Sequence, residues 1–316
     1  MAKRLLITGY SGFVGTNLLS HFYSKFEMSG LSRGSENKPS QLKEVYSWDN
    51  ISLEQINQID CIVHLAGKAH DLKNTSDASE YFTVNTGLTK SLFDLFIKSS
   101  ASDFIYLSSV KAVADRVEGI LTEDVIPDPQ TPYGQSKQQA EEYLLAAKLP
   151  PGKRLFILRP CMIHGPGNKG NLNLLYKFVQ KGIPYPLAGF DNLRSFLSVD
   201  NLSFIIEQLI TDTSIPGGIY NVADDQPLPT NEVINIIAQV SGLKPKLWKI
   251  SPGLIKAVAS VGDKLHLPLN SERLKKLTES YMVSNEKIKK ALHLTNLPVS
   301  STEGLKKTIS SFGDKK

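Results

Sequence analysis

Cysteine is nearly missing from this 316-residue chain: there are two, Cys61 and Cys161, each inside an apolar segment and neither at metal-ligand spacing. That excludes a disulfide scaffold and a structural zinc site, and no metal is expected. Long hydrophobic runs are missing too. None approaches the ~18 residues of a membrane span, so no integral membrane segment is expected. The opening Met1-Ala2-Lys3-Arg4-Leu5-Leu6-Ile7-Thr8-Gly9 resembles a secretory leader for a few residues, then breaks into a glycine turn without a cleavage-type site. The expectation is a cytoplasmic protein. There is no repeat and no low-complexity tract. With 41% hydrophobic and 21% charged residues, the composition excludes disordered and fibrous classes.

Acidic residues are scarce in one region only. Residues 244–316 carry 15 Lys or Arg against 6 Asp or Glu, so a local +9 underlies the overall +5 and leaves −4 for the rest. Such a basic quarter could meet an anionic substrate, a membrane surface or nucleic acid, but the favoured reading is a solvated lysine-rich surface. It has no aromatic interleaving and no arginine cluster, which weighs against nucleic acid.

What is present is an alternation. Arg4–Thr8, Met28–Leu31, Cys61–Leu65, Phe104–Leu107 and Leu155–Leu158 are brief apolar runs. Between them lie segments of helical periodicity, Asn17–Phe26, Glu80–Lys98 and Ser136–Lys148. Strands alternating with helices predict an α/β protein with a Rossmann-type doubly wound parallel sheet. After about residue 165 the rhythm changes to helices joined by Pro/Gly-rich loops. The expected division is a dinucleotide-binding domain at 1–165 and a smaller, mainly substrate-binding C-terminal lobe at 166–316, with segment 191–222 returning to the first domain.

The first strand runs into Thr8-Gly9-Tyr10-Ser11-Gly12-Phe13-Val14-Gly15 ahead of a helix. Gly9 permits a tight turn, Gly12 lets the backbone approach a pyrophosphate, and Gly15 allows close helix–strand packing. The helix N-terminus then presents free N–H groups to the anion. The second strand ends in Ser32-Arg33, with no acid before Glu36 to accept the adenosine ribose hydroxyls. Arg33 suits the extra phosphate of NADP(H), the preferred cofactor, with NAD(H) the alternative.

Tyr133-Gly134-Gln135-Ser136-Lys137 is a YxxxK motif, and with 11 Tyr and 29 Lys about one such pair is expected by chance. Its context carries the weight. It opens a predicted helix and follows Ser108-Ser109, at the end of a strand, by 24 residues. The i, i+4 spacing places Tyr133 and Lys137 on one face, where the ammonium would favour phenolate character.

These segments together resemble the extended short-chain dehydrogenases/reductases, the nucleotide-sugar epimerase/dehydratase/reductase family. The resemblance also rests on His64-Leu65-Ala66-Gly67, on Asn85 in Tyr81-Phe82-Thr83-Val84-Asn85, and on Leu158-Arg159-Pro160 through Gly165-Pro166. It implies that the glycine turn, Leu65, Ala66, Gly67, Asn85, Pro160 and Lys137 hold the dinucleotide, and that Ser109 and Tyr133 act on the sugar. Asp49 matches the acid that meets the adenine, and the family implies a homodimer. The chain departs from the family at Ala114, where Gly is usual, and at Met162, where many relatives place a substrate-binding Asn.

Ser108-Ser109-Val110-Lys111, Ala66-Gly67-Lys68-Ala69-His70, Gly165–Asn171 and Asn192–Phe196 resemble a narrower subgroup. Those bacterial surface-polysaccharide enzymes reduce the 4-keto group of UDP-2-acetamido-2,6-dideoxy-hexos-4-ulose to UDP-N-acetylquinovosamine or UDP-N-acetylfucosamine. Lys111, His70, Asn171, Arg194 and Arg273 are the candidate substrate contacts, Arg194 because it matches a family position that clamps the nucleotide diphosphate. His70 competes as a structural loop residue, and Arg273 as a plain surface residue. Asn171 has a competing role as a helix N-cap, and Arg194 as a salt-bridge partner of Asp200. His64 and Cys161 read as packing residues. The alternatives to a UDP-sugar 4-ketoreductase are a UDP-sugar 4-epimerase using the same residues and, in another class, a redox-inactive NADP-binding scaffold. A scaffold has no need of the complete Ser/Tyr/Lys set.

Overall fold

The computed structural model describes residues 2–34, 38–69, 77–168, 170–265 and 270–313. Its centre is one parallel sheet of seven strands: β1 (Arg4–Thr8), β2 (Glu27–Ser32), β3 (Glu44–Ser47), β4 (Cys61–His64), β5 (Asp103–Leu107), β6 (Arg154–Pro160) and β7 (Gly218–Val222). They lie in the order β7-β6-β5-β4-β1-β2-β3, each pair in parallel register. The order reverses between β1 and β4, which opens a crevice at their carboxyl ends.

The central strands β1, β4, β5 and β6 read as mainly apolar runs because both faces are buried. Leu5, Ile7, Val63, Ile105, Phe156 and Leu158 face one core, roofed by α1 (Phe13–Phe22) and by Leu202, Ile205, Ile206 and Leu209 of the helix Val199–Thr211. Leu6, Ile62, Phe104, Tyr106 and Ile157 face the other, closed by α2 (Leu88–Lys98) and α3 (Pro132–Ala146) through Leu92, Phe93, Phe96, Ala140 and Leu144.

The lobe has its own core, with Leu172, Val179, Val233, Ile237, Leu305 and Ile309 from three helices meeting beside Phe196. A parallel ladder, Met162–His164 against Phe196–Ser198, joins the lobe to the chain leaving β6. The chain then returns to the sheet. Val199–Thr211 covers one face and β7 pairs with β6 at the edge.

Three expectations need correction. The first helix begins at Phe13, four residues before Asn17, because Gly12 takes the extended N-cap geometry. The periodic run from Glu80 to Lys98 contains a π-helical segment, Phe82–Gly87, that carries Asn85. Strand β3 escaped the apolar-run reading, since at the sheet edge only Val45 and Tyr46 of its four residues are apolar.

Candidate active site

The crevice starts with glycines that nothing else can replace. Gly9 sits at φ +65°, and a Cβ there would lie 2.8 Å from the Ala66 nitrogen. A Cβ on Gly15 would lie 2.4 Å from the Gly9 carbonyl oxygen. The turn closes with Gly12 N–H donating to Gly9 O at 3.0 Å. No side chain caps α1, which leaves its first N–H groups without a side-chain acceptor, as a phosphate cradle requires. Ser11 and Gly12 are exposed there, with Phe13 and Val14 half-buried. Tyr10 contributes backbone alone, since its ring is buried against Gly30.

A buried polar chain ties this turn to its neighbours. Ala66 N–H donates to Thr8 Oγ1 (2.9 Å), which lies 2.7 Å from His64 Nδ1. His64 Nε2 lies 2.9 Å from Thr89 Oγ1, and that hydroxyl donates to Asn85 O at 2.6 Å. Burial, helped by the charge of Lys137, pushes the His64 pKa down to about 3. The imidazole is therefore neutral. The Asn85 amide accepts from Lys68 N (2.7 Å) and donates to Lys68 O (3.1 Å) and Ser136 Oγ (2.9 Å). Its side chain thus braces the turn Leu65-Ala66-Gly67 against α3.

Beside this turn stand the three residues of the proposed chemistry. Thr131 caps α3 and Pro132 opens it, placing Tyr133 and Lys137 one turn apart on the face toward β5. Lys137 is buried; its Nζ donates to Leu107 O at 2.8 Å and lies 4.8 Å from the Tyr106 ring centroid. A Cβ on Gly67 would come within 3.1 Å of that Nζ. Burial lowers the Lys137 pKa to about 8, with Glu141 working against the fall.

Tyr133 is raised above the ordinary phenol value by burial, and the nearby Ser109 hydroxyl opposes the rise. The Lys137 ammonium donates to Leu107 O, and Lys137 is not among the groups that shift Tyr133. Ser109 also accepts Lys111 N–H at 3.2 Å as the cap of a short 3-10 turn. Ser108 is engaged elsewhere, donating to Glu141. Of the two serines, it is Ser109 that lies beside Tyr133.

Glu141 was not singled out from sequence. One turn beyond Lys137, it receives Arg159 Nε at 3.1 and 3.0 Å and Nη2 at 2.5 Å, with both side chains buried. The signal available was its i, i+4 spacing from Lys137.

The remaining candidates are scattered around the crevice. Ser32 donates to Gly34 O, leaving Arg33 exposed at the end of β2, and Asp49 is exposed just after β3. Lys111 donates to Asp115 O at 2.8 Å and lies over the Tyr281 ring; burial depresses its pKa and Arg194 adds to the fall. Arg194 donates to Lys276 O, while its Nε is buried without a partner. Its expected competitor role fails, because Asp200 pairs with Lys307 at 2.7 Å. Asn171 is exposed as the first residue of its helix, and the N-cap is Gly170 instead. Arg273 is exposed on the helix Ser271–Thr278, Pro160 is buried at the end of β6, and His70 lies outside the described residues. Among the described residues no group of His, Cys, Asp and Glu could hold a metal.

The sequence pattern of the NAD dependent epimerase/dehydratase family matches residues 5–223. The chain is 32% identical over 252 residues to a UDP-glucose 4-epimerase of Vibrio cholerae, covering 75% of this chain and 76% of that protein. It is 29% identical over 243 residues to an N-acetyl-alpha-D-glucosaminyl-diphospho-ditrans,octacis-undecaprenol 4-epimerase of Escherichia coli O157:H7, covering 76% and 72%. Among solved structures, MoeE5 in complex with UDP-glucuronic acid and NAD superimposes with a TM-score of 0.75 at 20% identity, covering 99% of this chain and all of that one.

Proposed function

The chain belongs to the NAD dependent epimerase/dehydratase family, and from that premise we propose that it is an NADP(H)-dependent reductase of the 4-keto group of a UDP-2-acetamido-2,6-dideoxy-hexos-4-ulose, serving surface-polysaccharide synthesis. The observation that carries the chemistry is the grouping of Ser109 and Tyr133, close enough for the serine to act on the phenol, beside buried Lys137.

The glycine turn fits a dinucleotide, because Cβ atoms at Gly9 and Gly15 would strike backbone and α1 has no side-chain cap. Gly9 through Gly15 would hold the pyrophosphate, Leu65-Ala66-Gly67 and Lys137 the nicotinamide ribose, and Arg33 the 2′-phosphate. When bound, the dinucleotide supplies the hydride equivalent for the sugar carbonyl. Tyr133 donates its phenolic proton to the keto oxygen, and its high pKa suits a group that arrives protonated. Ser109 hydrogen-bonds the same oxygen as negative charge develops on it. Lys111 and Arg194 place two cations near one another, suited to the sugar-nucleotide diphosphate. Asn171 and Arg273 are carried as further substrate contacts.

A second reading, a UDP-sugar 4-epimerase, is favoured by the names of the two relatives. Against it, Ser32-Arg33 lacks the acid with which an epimerase retains NAD, and Met162 replaces the sugar-binding Asn. Two incubations separate the readings. The UDP-linked 4-keto-6-deoxy amino sugar should consume NADPH mole for mole with product. Interconversion of UDP-GlcNAc and UDP-GalNAc with no net cofactor change would establish the epimerase instead.

A further inference from the structure

Glu141, Arg159 and Ser108 form a polar cluster in which all three residues are buried. The Glu141 carboxylate, one turn along α3 from Lys137, takes Nε and Nη2 of Arg159 from β6. An ion pair needs nothing more, yet Glu141 Oε1 also accepts the Ser108 hydroxyl from just beyond β5. A buried pair of this kind is a weak stabiliser, because apolar residues of similar volume often serve a fold as well. What a carboxylate shared between two strands and its own helix does supply is a fixed position for each of them.

Ser108 links this cluster to the site. Its N–H donates to Leu158 O at 2.7 Å. That N–H shares one planar peptide with the Leu107 carbonyl, which accepts Lys137 Nζ at 2.8 Å. On its other side Ser108 is joined to Ser109, which lies beside Tyr133. A carboxylate that holds the Ser108 side chain therefore fixes both the acceptor of the Lys137 ammonium and the path of the chain into Ser109.

Charge points the same way. Burial works against the Lys137 ammonium and the Glu141 carboxylate works for it. The Tyr106 ring of β5 lies 4.8 Å from Lys137 Nζ, and His64 of β4 feels the Lys137 charge. Neither offers a counter-charge, since burial keeps the Tyr106 phenol protonated and the imidazole neutral. Tyr133, one turn back on α3, is likewise held protonated by burial. We propose that Glu141 is a positioning residue for the reaction, fixing Lys137 and Ser109 through Ser108 and standing as counter-charge to the Lys137 ammonium. The inference rests on the assignment of the chemistry to Ser109, Tyr133 and Lys137, which a 4-ketoreductase and a 4-epimerase share.

Two variants of the full chain test this. Ser108→Ala cuts the link and leaves the Arg159–Glu141 pair in place. A misplacement of about 1 Å costs on the order of 10²-fold in rate, so kcat should fall by up to about that factor with KM nearly unchanged. Glu141→Gln keeps an acceptor for Ser108 and removes the charge. A lysine ¹³Cε NMR titration without substrate, with the Lys137 signal identified by its loss in Lys137→Met, should place the wild-type midpoint at about 8. In Glu141→Gln it should move down, because losing a negative neighbour disfavours the ammonium. Where Glu141→Gln does not fold, the same titration of Ser108→Ala decides, since a loosened Leu107 carbonyl also favours the neutral amine. The titration needs no turnover, so inactivity toward every UDP-sugar would count against the proposed chemistry and leave this reading of Glu141 open to the midpoint. A wild-type kcat in Ser108→Ala, a kcat loss no larger than the loss of folded protein, or an unmoved Lys137 midpoint would each overturn the proposal.

Discussion

Acid should loosen the nucleotide cradle through one residue, His64. Its two ring nitrogens sit between Thr8 Oγ1 at 2.7 Å and Thr89 Oγ1 at 2.9 Å. Thr8 Oγ1 already accepts Ala66 N–H, and Thr89 already donates to Asn85 O. The bonds therefore run in one direction: the Thr8 hydroxyl donates to Nδ1, and Nε2–H donates to Thr89. This tautomer is assigned from the network. A proton on Nδ1 would face a donor, in a site with no solvent access and with Lys137 nearby.

The folded pKa of about 3 lies below the ordinary 6.5, so the unfolded chain binds a proton that the native chain refuses. The stability from this group is present above pH 6.5 and is lost as pH falls from there toward 3. Applied to these two values, linkage gives a loss of about 2 kcal/mol between pH 7 and pH 5, rising to roughly 5 kcal/mol below pH 3. Urea unfolding at pH 7 and pH 5 should show this difference in the wild type and not in His64→Gln, whatever that variant's starting stability. An NMR titration of the wild-type ring supplies an independent reading. A native His64 that titrates near 6.5, or identical pH dependences in the two proteins, would refute the reasoning.

Tyr133→Phe should lower turnover by ~10²–10⁴-fold with dinucleotide affinity nearly intact, since only the proton-bearing hydroxyl is removed; retained turnover in a steady-state assay would exclude Tyr133 as the acid. Arg33→Ala should weaken NADPH binding about ten- to a hundredfold and leave NADH unchanged, as fluorescence titration would reveal. Gly9→Ala forces a side chain into the left-handed region and against Ala66 backbone, costing about 2–5 kcal/mol by denaturant unfolding; a loss under 1 kcal/mol would contradict that geometry. Glu141→Ala leaves Arg159 charged and buried without its carboxylate, for a loss of roughly 3–5 kcal/mol. A thermal midpoint matching the wild type would show that the pair is not what locks α3 to β6.

Local chemistry was legible in the sequence. Strands buried on both faces must be apolar throughout, so β1, β4, β5 and β6 announced themselves as short runs. Gly9 and Gly15 were readable because no other residue tolerates their backbone angle or the 2.4–2.8 Å approach of neighbouring backbone. The Tyr133/Lys137 spacing is a property of a single helix, and the family resemblance those motifs carried agrees with the match over residues 5–223.

Choice of partner belonged to the tertiary structure. Glu141 and Arg159 meet only because α3 packs across β6, and Ser108 turns to that pair while Ser109 faces Tyr133. Sequence spacing alone put Lys137 next to Tyr133, yet its ammonium goes to Leu107 O, a carbonyl thirty residues away. Asp200 similarly takes Lys307 in preference to Arg194. Strand β3 has too few apolar residues to be seen until it pairs with β2, and β7 joins the sheet only by pairing with β6. Periodicity and turn chemistry act over a few residues and are written in order along the chain. Which buried donor finds which acceptor depends on elements brought together from distant positions, and packing alone decides it.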